Sequence, residues 1–216
     1  LVFYSNLEKI PEDQYDTHVP VGSLPSYFRQ SIVSFKQSSG SYLKVDENLS
    51  TKLRAELLGG KHKYICGISW RGGSKKDSAA TNKSIKLAEI AQILDRENVT
   101  LVSLQYGETD TELQELNNKY GIRVASVSEI DNFKNIDGLA SLIGACDHIV
   151  SIDNLTVHLA GALGKKTTVL LPFSCDWRWG QTQQDCYWHS SLTLFRQKNI
   201  ADWSSPLKEL KQHLIY

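Results

Sequence analysis

Apolar residues follow two alternating periods along this chain. Tyr64-Ile-Cys-Gly-Ile-Ser-Trp70 is an apolar run of strand length, and Ile85 to Leu94 repeats apolar residues at helical spacing. The alternation continues through a strand at Thr100-Leu-Val-Ser-Leu-Gln105, a helix from Asp110 to Tyr120, a strand at Val124 to Val127 and a helix from Ile136 to Ala145. Asp147-His-Ile-Val-Ser151 reads as a short buried strand, and Leu155, Leu159, Ala162 and Leu163 as one helix that Gly164 stops. Thr167-Thr-Val-Leu-Leu171 is a strand closed by Pro172, and Ser205-Pro206 opens a last helix with Leu207, Leu210 and Leu214 on one side. Strands alternating with helices predict an α/β fold, with a Rossmann-like parallel sheet flanked by helices.

The opening stretch lacks this order. Pro11, Pro20 and Pro25 break it, and Gln37-Ser-Ser-Gly-Ser41 forms a flexible patch. Ser50 is placed to cap a short helix in which Leu53 and Leu57 share a face, ending at Gly59-Gly60. We therefore expect residues 1–60 to be the end of a preceding domain plus a linker, and residues 61–216 to be the main domain. The chain contains no methionine, so a piece of a longer polypeptide is expected.

Composition narrows the function classes. Of 216 residues, 41% are hydrophobic, enough for a sizeable core. Lys and Arg number 24 against 24 Asp and Glu, so no global field draws the chain to nucleic acid or an anionic membrane, and any anion site must be local. No stretch has the roughly 18 uninterrupted apolar residues of a membrane span. Cys66, Cys146, Cys175 and Cys186 form no Cys-x-x-Cys pair. Their mostly apolar surroundings suit reduced thiols in a cytoplasmic protein, and a Cys175–Cys186 bridge stays open as an unsupported alternative.

The densest chemistry lies in Ser151-Ile-Asp-Asn-Leu-Thr-Val-His-Leu-Ala-Gly-Ala-Leu-Gly164, which puts an acid, an amide, a hydroxyl and an imidazole at one strand-to-helix turn. Asp153 or Asn154 caps the helix, whose N-terminal N–H groups and dipole favour an anion by about 0.3–1 kcal/mol at exposed positions. Taken singly, Asp153 is a cap and His158 a packed ring; their clustering with Asn154 and Thr156 favours a phosphate site. In an open α/β sheet the loops after Trp70, Gln105, Ser151 and Leu171 converge on one crevice. Arg71-Gly-Gly-Ser-Lys-Lys76 and Asn82-Lys83 bring cations and backbone N–H groups to it. Lys75 and Lys76 read best as solvated, whereas Lys83 sits at the mouth of a helix. Gln105 and Tyr106 either offer an amide and an aromatic face to a base or ribose, or simply pack. Asp176-Trp-Arg-Trp179 and Cys186-Tyr-Trp-His189 crowd aromatic rings into one loop, which is either a sugar-stacking surface or packed cover, with Arg178 able to reach a phosphate in both cases. Gly-x-Gly-x-x-Gly, the P-loop and Asp-x-Asp are all absent, which argues against a dinucleotide site and predicts no metal and no cofactor.

Residues 62–204 resemble the nucleotide-sugar-binding half of GT-B glycosyltransferases, especially heptosyltransferase-like and O-GlcNAc-transferase-like proteins that often follow tetratricopeptide repeats. The resemblance rests on Gly67-Ile-Ser-Trp-Arg-Gly72, Val102-Ser-Leu-Gln-Tyr-Gly107, the 151–164 segment, Leu170-Leu-Pro-Phe-Ser-Cys-Asp-Trp-Arg-Trp179 and Leu194-Phe-Arg-Gln197. It implies the C-terminal half of a GT-B fold, with Lys83, Asp153 and His158 at positions that contact the donor's diphosphate and sugar. It further implies metal-independent, inverting transfer from a nucleotide-sugar, a UDP-sugar above all, to a protein or glycan hydroxyl.

Two departures stand out. Only about 60 residues precede the main domain, where such enzymes carry an acceptor-binding domain and often the catalytic base, so no catalytic residue is named here. Leu155 is bulky where relatives carry a small or polar residue beside the phosphate. The competing expectation is a nucleotide-sugar-binding or interaction module without turnover.

Overall fold

The computed structural model describes residues 11–36, 40–60, 64–72 and 83–214. Ser74, Lys75, Lys76 and Asn82 lie outside the described residues. The chain divides into two compact units, Leu1–Gln37 and Ser38–Tyr216. In the first, short helical turns at Glu12–Gln14, Val21–Ser23, Leu24–Phe28 and Val33–Lys36 occupy what the prolines marked as irregular chain. Pro25 sits in the first turn of Leu24–Phe28, where its missing N–H costs no hydrogen bond.

The second unit runs α1 (Glu47–Leu58), β1 (Tyr64–Ser69), α2 (Leu87–Leu94), β2 (Val99–Ser103), α3 (Asp110–Tyr120), β3 (Val124–Ala125), α4 (Ile136–Ala145), β4 (His148–Ile152), α5 (Leu155–Ala162), β5 (Thr167–Leu171), β6 (Leu192–Arg196) and α6 (Ser204–His213). The strands form one six-stranded sheet in the order β3-β2-β1-β4-β5-β6. Every neighbouring pair is parallel, which is the Rossmann-like arrangement. β6 was not legible as a strand: only the 3-10 turn Trp177–Trp179 lies between it and β5, so no helical period announces it. The α1 cap also differs from expectation. Asp46, not Ser50, accepts from the N–H groups of Asn48 and Leu49, both at 3.0 Å, and Ser50 is buried one turn inside the helix.

Alternating strand residues feed the two faces of the sheet. Cys66, Ile68, Trp70, Val150 and Ile152 pack on one face with α2 and Leu210 of α6. Ile65, Val102, Leu104 and Ile149 pack on the other with α1, α4 and α5. A third cluster joins Val169 and Leu171 of β5 to Leu192 and Leu194 of β6 beneath Trp179 and Cys186. β1 and β4 are therefore neighbours whose following helices, α2 and α5, pack in clusters on opposite faces. Between their C-terminal ends lies the topological switch point, where open α/β sheets bind ligands.

The other end of β4 is anchored by charge. Asp147 takes a bidentate pair from Arg54 of α1, at 2.9 and 3.0 Å, and accepts from the Ile65 N–H at 2.8 Å. His148 beside it is 2% exposed, with Nε2 at 3.0 Å from Thr168 Oγ1. All four cysteines are free thiols, and burial pushes Cys146 and Cys186 upward, toward the unreactive protonated form.

Burial lowers His148 to about 4, with Lys166 and His213 adding to the effect. The unfolded chain takes up this proton near pH 6.5, whereas the folded chain resists it until about 4. Stability is therefore full above about pH 6.5 and is lost as pH falls from there toward 4. Urea unfolding at pH 7.5 and pH 5 is expected to show a loss of up to about 2 kcal/mol attributable to His148, with a shallower pH slope in His148→Asn.

Candidate functional site

The C-terminal ends of β1, β2 and β4 are tied together by two amides. Gln105, 4% exposed just past β2, accepts at Oε1 from the N–H groups of Trp70 (2.9 Å) and Arg71 (2.8 Å) and from Ser69 Oγ (3.1 Å). Its Nε2 donates to the carbonyls of Arg71 and Tyr106, both at 3.2 Å. Asn154 does the same from β4. Its Nδ2 donates to Ser69 Oγ at 2.7 Å and to the Arg71 carbonyl at 3.3 Å. Its Oδ1 accepts from Ser151 Oγ and caps α5 through the Thr156 N–H, each at 3.1 Å. Of the two candidate caps, Asn154 is the one observed.

This lattice fixes what stands above it. Lys83 Nζ lies 3.2 Å from Asp153 Oδ2, with Asp153 only 7% exposed and Lys83 37% exposed. The buried carboxylate thus holds the ammonium over the start of α5 while leaving part of it open to solvent. The first-turn N–H groups of Leu155 and Val157 have no intrahelical partner. The ring nitrogens of His158, one turn into α5, make no hydrogen bond to the described residues. Its ring stacks on Trp179, with centroids 4.9 Å apart and planes 20° apart. Burial lowers its pKa; Asp153 and Asp176 act against this and Arg178 with it. The ring is therefore mostly neutral at pH 7.

The structure thus brings Lys83, Asp153, Asn154 and His158 together at the switch point. Other sequence-predicted residues are engaged around it. Arg71 pairs with Glu112 at 3.0 Å and donates to the Glu108 carbonyl at 2.8 Å. Both ends of the Gln105 amide are used internally, and Thr156 Oγ1 is buried against the Leu104 carbonyl at 3.5 Å. Arg178 pairs with Asp176 at 3.2 Å beside Trp177. Tyr106 lines a cavity of about 530 Å³ past the ends of β2 and β3, shared with Thr109, Ile130, Asn132 and Phe133, whose ring centroid is 6.1 Å from that of Tyr106. A larger cavity of about 790 Å³, lined by Arg96, Glu97, Asn117 and Arg123, opens at the N-terminal ends of β2 and β3, where such sheets do not bind ligands. Leu155 is exposed at the first position of α5.

Sequence reasoning missed Ser69, which both amides use, and the pairing of His158 with Trp179. A serine ending an apolar strand carries no signal, and the ring pair comes from separate segments. Among the described residues, no group of three His, Cys, Asp or Glu side chains is placed to hold a metal ion. No described helix is long and apolar enough to cross a membrane.

No protein-family model matches the chain. The fold is similar to three solved glycosyltransferase structures. These are a glycosyl transferase family 9 protein from Veillonella parvula (TM-score 0.51, 14% identical, 82% of this chain and 47% of that one), ADP-heptose LPS heptosyltransferase II of E. coli (0.55, 16%, 79% and 52%), and E. coli heptosyltransferase WaaC with ADP (0.52, 13%, 82% and 49%). In sequence, Protein FlbA of Caulobacter vibrioides is 25% identical over 195 residues, covering 88% of this chain and 31% of that protein. The chain spans about half the length of the solved neighbours and about a third of that relative.

Gln105→Leu would leave the N–H groups of Trp70 and Arg71 and the Ser69 hydroxyl without their acceptor. Burying unpaired polar groups of this kind costs about 1–3 kcal/mol each at full effect, and we expect a net loss of about 2–4 kcal/mol in urea unfolding. A loss below 1 kcal/mol would contradict the structural role given to this amide.

Proposed function

We propose that this chain is the donor-binding half of a glycosyltransferase acting on a nucleotide-sugar. The observation that carries the reading is the Lys83–Asp153 pair poised over the N-terminus of α5 at the switch point, beside an imidazole whose nitrogens make no hydrogen bond to the described residues. A diphosphate suits that place. Lys83 supplies a cation, the first turn of α5 supplies N–H groups and the positive end of its dipole, and His158 supplies a neutral donor. Asp153 orients Lys83, and Asn154, Gln105 and Thr156 set the backbone beneath the ligand. The cavity beside Tyr106 and Phe133 accepts the base and ribose, with Arg71 on its border and Arg178 on the sugar side.

The chemistry proposed is metal-independent transfer with inversion to a protein or glycan hydroxyl. As the bond from the sugar to the diphosphate breaks, negative charge grows on the leaving phosphate. Lys83 and the α5 terminus stabilise that charge because they are already oriented toward it. The base that takes the acceptor's proton is not among the residues assigned here. Sequence resemblance leads to a UDP-sugar. The two E. coli neighbours are an ADP-heptose enzyme and a structure with ADP, so the base is tested directly.

Calorimetric titration with UDP, ADP and GDP, in EDTA and in excess Mg²⁺, checks the reading. We expect one nucleotide to bind selectively and equally well with and without the metal, and Lys83→Ala to weaken it at least tenfold, about 1.4 kcal/mol. Binding that survives Lys83→Ala unchanged, or that requires Mg²⁺, would overturn the assignment.

A further inference from the structure

His158 belongs to a row of four rings contributed by α5, the aromatic loop between β5 and β6, and the segment preceding α1. Trp179, 1% exposed, stacks on one side of it. His189, 8% exposed, has its ring centroid 6.1 Å from that of His158 at 59°. Tyr42, from the segment preceding α1, stacks on His189 at 6.1 Å and 18°. None of the four is placed loosely. Gly161 of α5 leaves the space His189 occupies, since a Cβ there would run into the imidazole. The N–H groups of Tyr42 and Leu43 both donate to the Ala162 carbonyl, at 2.9 and 3.1 Å, fixing Tyr42 against α5. The Trp179 carbonyl accepts from Gln183 Nε2 and from the guanidinium of Arg196, which ties the indole to β6. The indole N–H of Trp179 and Nδ1 of His189 are buried without a partner among the described residues, so these rings are held by shape rather than by their polar atoms.

We propose that Trp179 and His189 are positioning residues for His158: they fix its ring in one orientation and keep water from its faces, so that it meets the ligand as an uncharged hydrogen-bond donor. This inference rests on the diphosphate reading of the crevice, in which His158 is the contacting group. A free surface histidine would exist half-charged near pH 6.5 and sweep through several rotamers, losing rotamer entropy on binding. Packed between an indole and a second imidazole, it arrives preorganised. The groups facing it are Asp153, Asp176, Arg178 and His189, and their charges partly cancel. The balance then falls to burial, which lowers His158 and takes His189 down to about 4. The cationic charge for the phosphates thereby comes from Lys83, and donor binding stays level across neutral pH.

Imidazole NMR titration of the ligand-free protein from pH 4 to 8 tests this in the wild type, Trp179→Phe, Trp179→Leu and His189→Gln. In the wild type His158 is expected to titrate below its ordinary value, with ring protons displaced by the indole. Trp179→Phe should preserve both features. Trp179→Leu should move His158 back toward 6.5, remove the ring-current displacement, weaken nucleotide binding about five- to tenfold at pH 8 and make that binding tighten as pH falls to 6. Should Trp179→Leu fail to fold, the wild type, Trp179→Phe and His189→Gln decide. An ordinary His158 titration in the wild type, without indole displacement, overturns the proposal. Normal nucleotide binding alongside that result leaves the donor site standing and sinks only the positioning role. The predicted titrations without binding of any nucleotide sink the diphosphate reading instead, and with it the ligand role of His158.

Discussion

The arrangement of this domain depends on the two amides that bind three strand ends at the switch point. β1, β2 and β4 leave the sheet toward different elements, and nothing in strand pairing alone fixes how their first loop residues sit. Gln105 and Asn154 resolve this by sharing the same partners, Ser69 and the backbone of Arg71, from opposite sides. In the low-dielectric end of a parallel sheet such bonds are stronger than in water, and leaving any one unmade costs more than it contributes. The lattice therefore tends to form whole. Once formed, it places Asp153 and the first turn of α5 opposite Lys83.

This division of labour accounts for how the polar residues are used. Gln105 and Thr156 carry the functional groups one would assign to ligand contact, yet their atoms are committed to protein partners. Lys83 and His158 keep capacity in reserve. The first is partly exposed despite its ion pair, and the second is stacked but makes no hydrogen bond to the described residues. Under the proposed reading, the groups that hold the backbone are separate from Lys83 and His158, which would meet the ligand with little rearrangement on binding.

Much of the fold was legible because the physics that buries a parallel sheet writes a period into the sequence. α3, α4 and β5 emerge with the bounds their apolar spacing predicts, and the strand-helix turn around Asp153 and Asn154 reads correctly as the centre of the polar cluster. The failures have two causes. The cap of α1 is a local miss, Asp46 standing a full turn before the serine that spacing favours, whereas β6 follows a loop with almost no regular structure and the ring row from Tyr42 to Trp179 draws on positions far apart in the chain. Local period reports what one element does with its own residues. It is silent where a long-range contact decides.

The aromatic loop shows why that silence matters for function. Read locally, Asp176 to Trp179 and Cys186 to His189 are a surface of rings open to either stacking on a sugar or covering a sheet edge. In three dimensions the loop splits. Trp179 and Cys186 enter the core beneath β5 and β6, while Trp177 and Tyr187 stay exposed. Trp179 of the buried half stacks on the face of His158, and the carbonyls of Trp179 and Gln183 accept from Arg196, so the part that looks like mere cover is the part that touches the crevice. A tryptophan whose indole N–H has no partner among the described residues pays a desolvation cost of the order of 1–3 kcal/mol. What offsets it is the packing of a large ring against β5, β6 and an imidazole at once. A core built for stability alone is better served there by leucine or phenylalanine, which bring no polar atom; the indole covers the histidine's ring over a wider face than either.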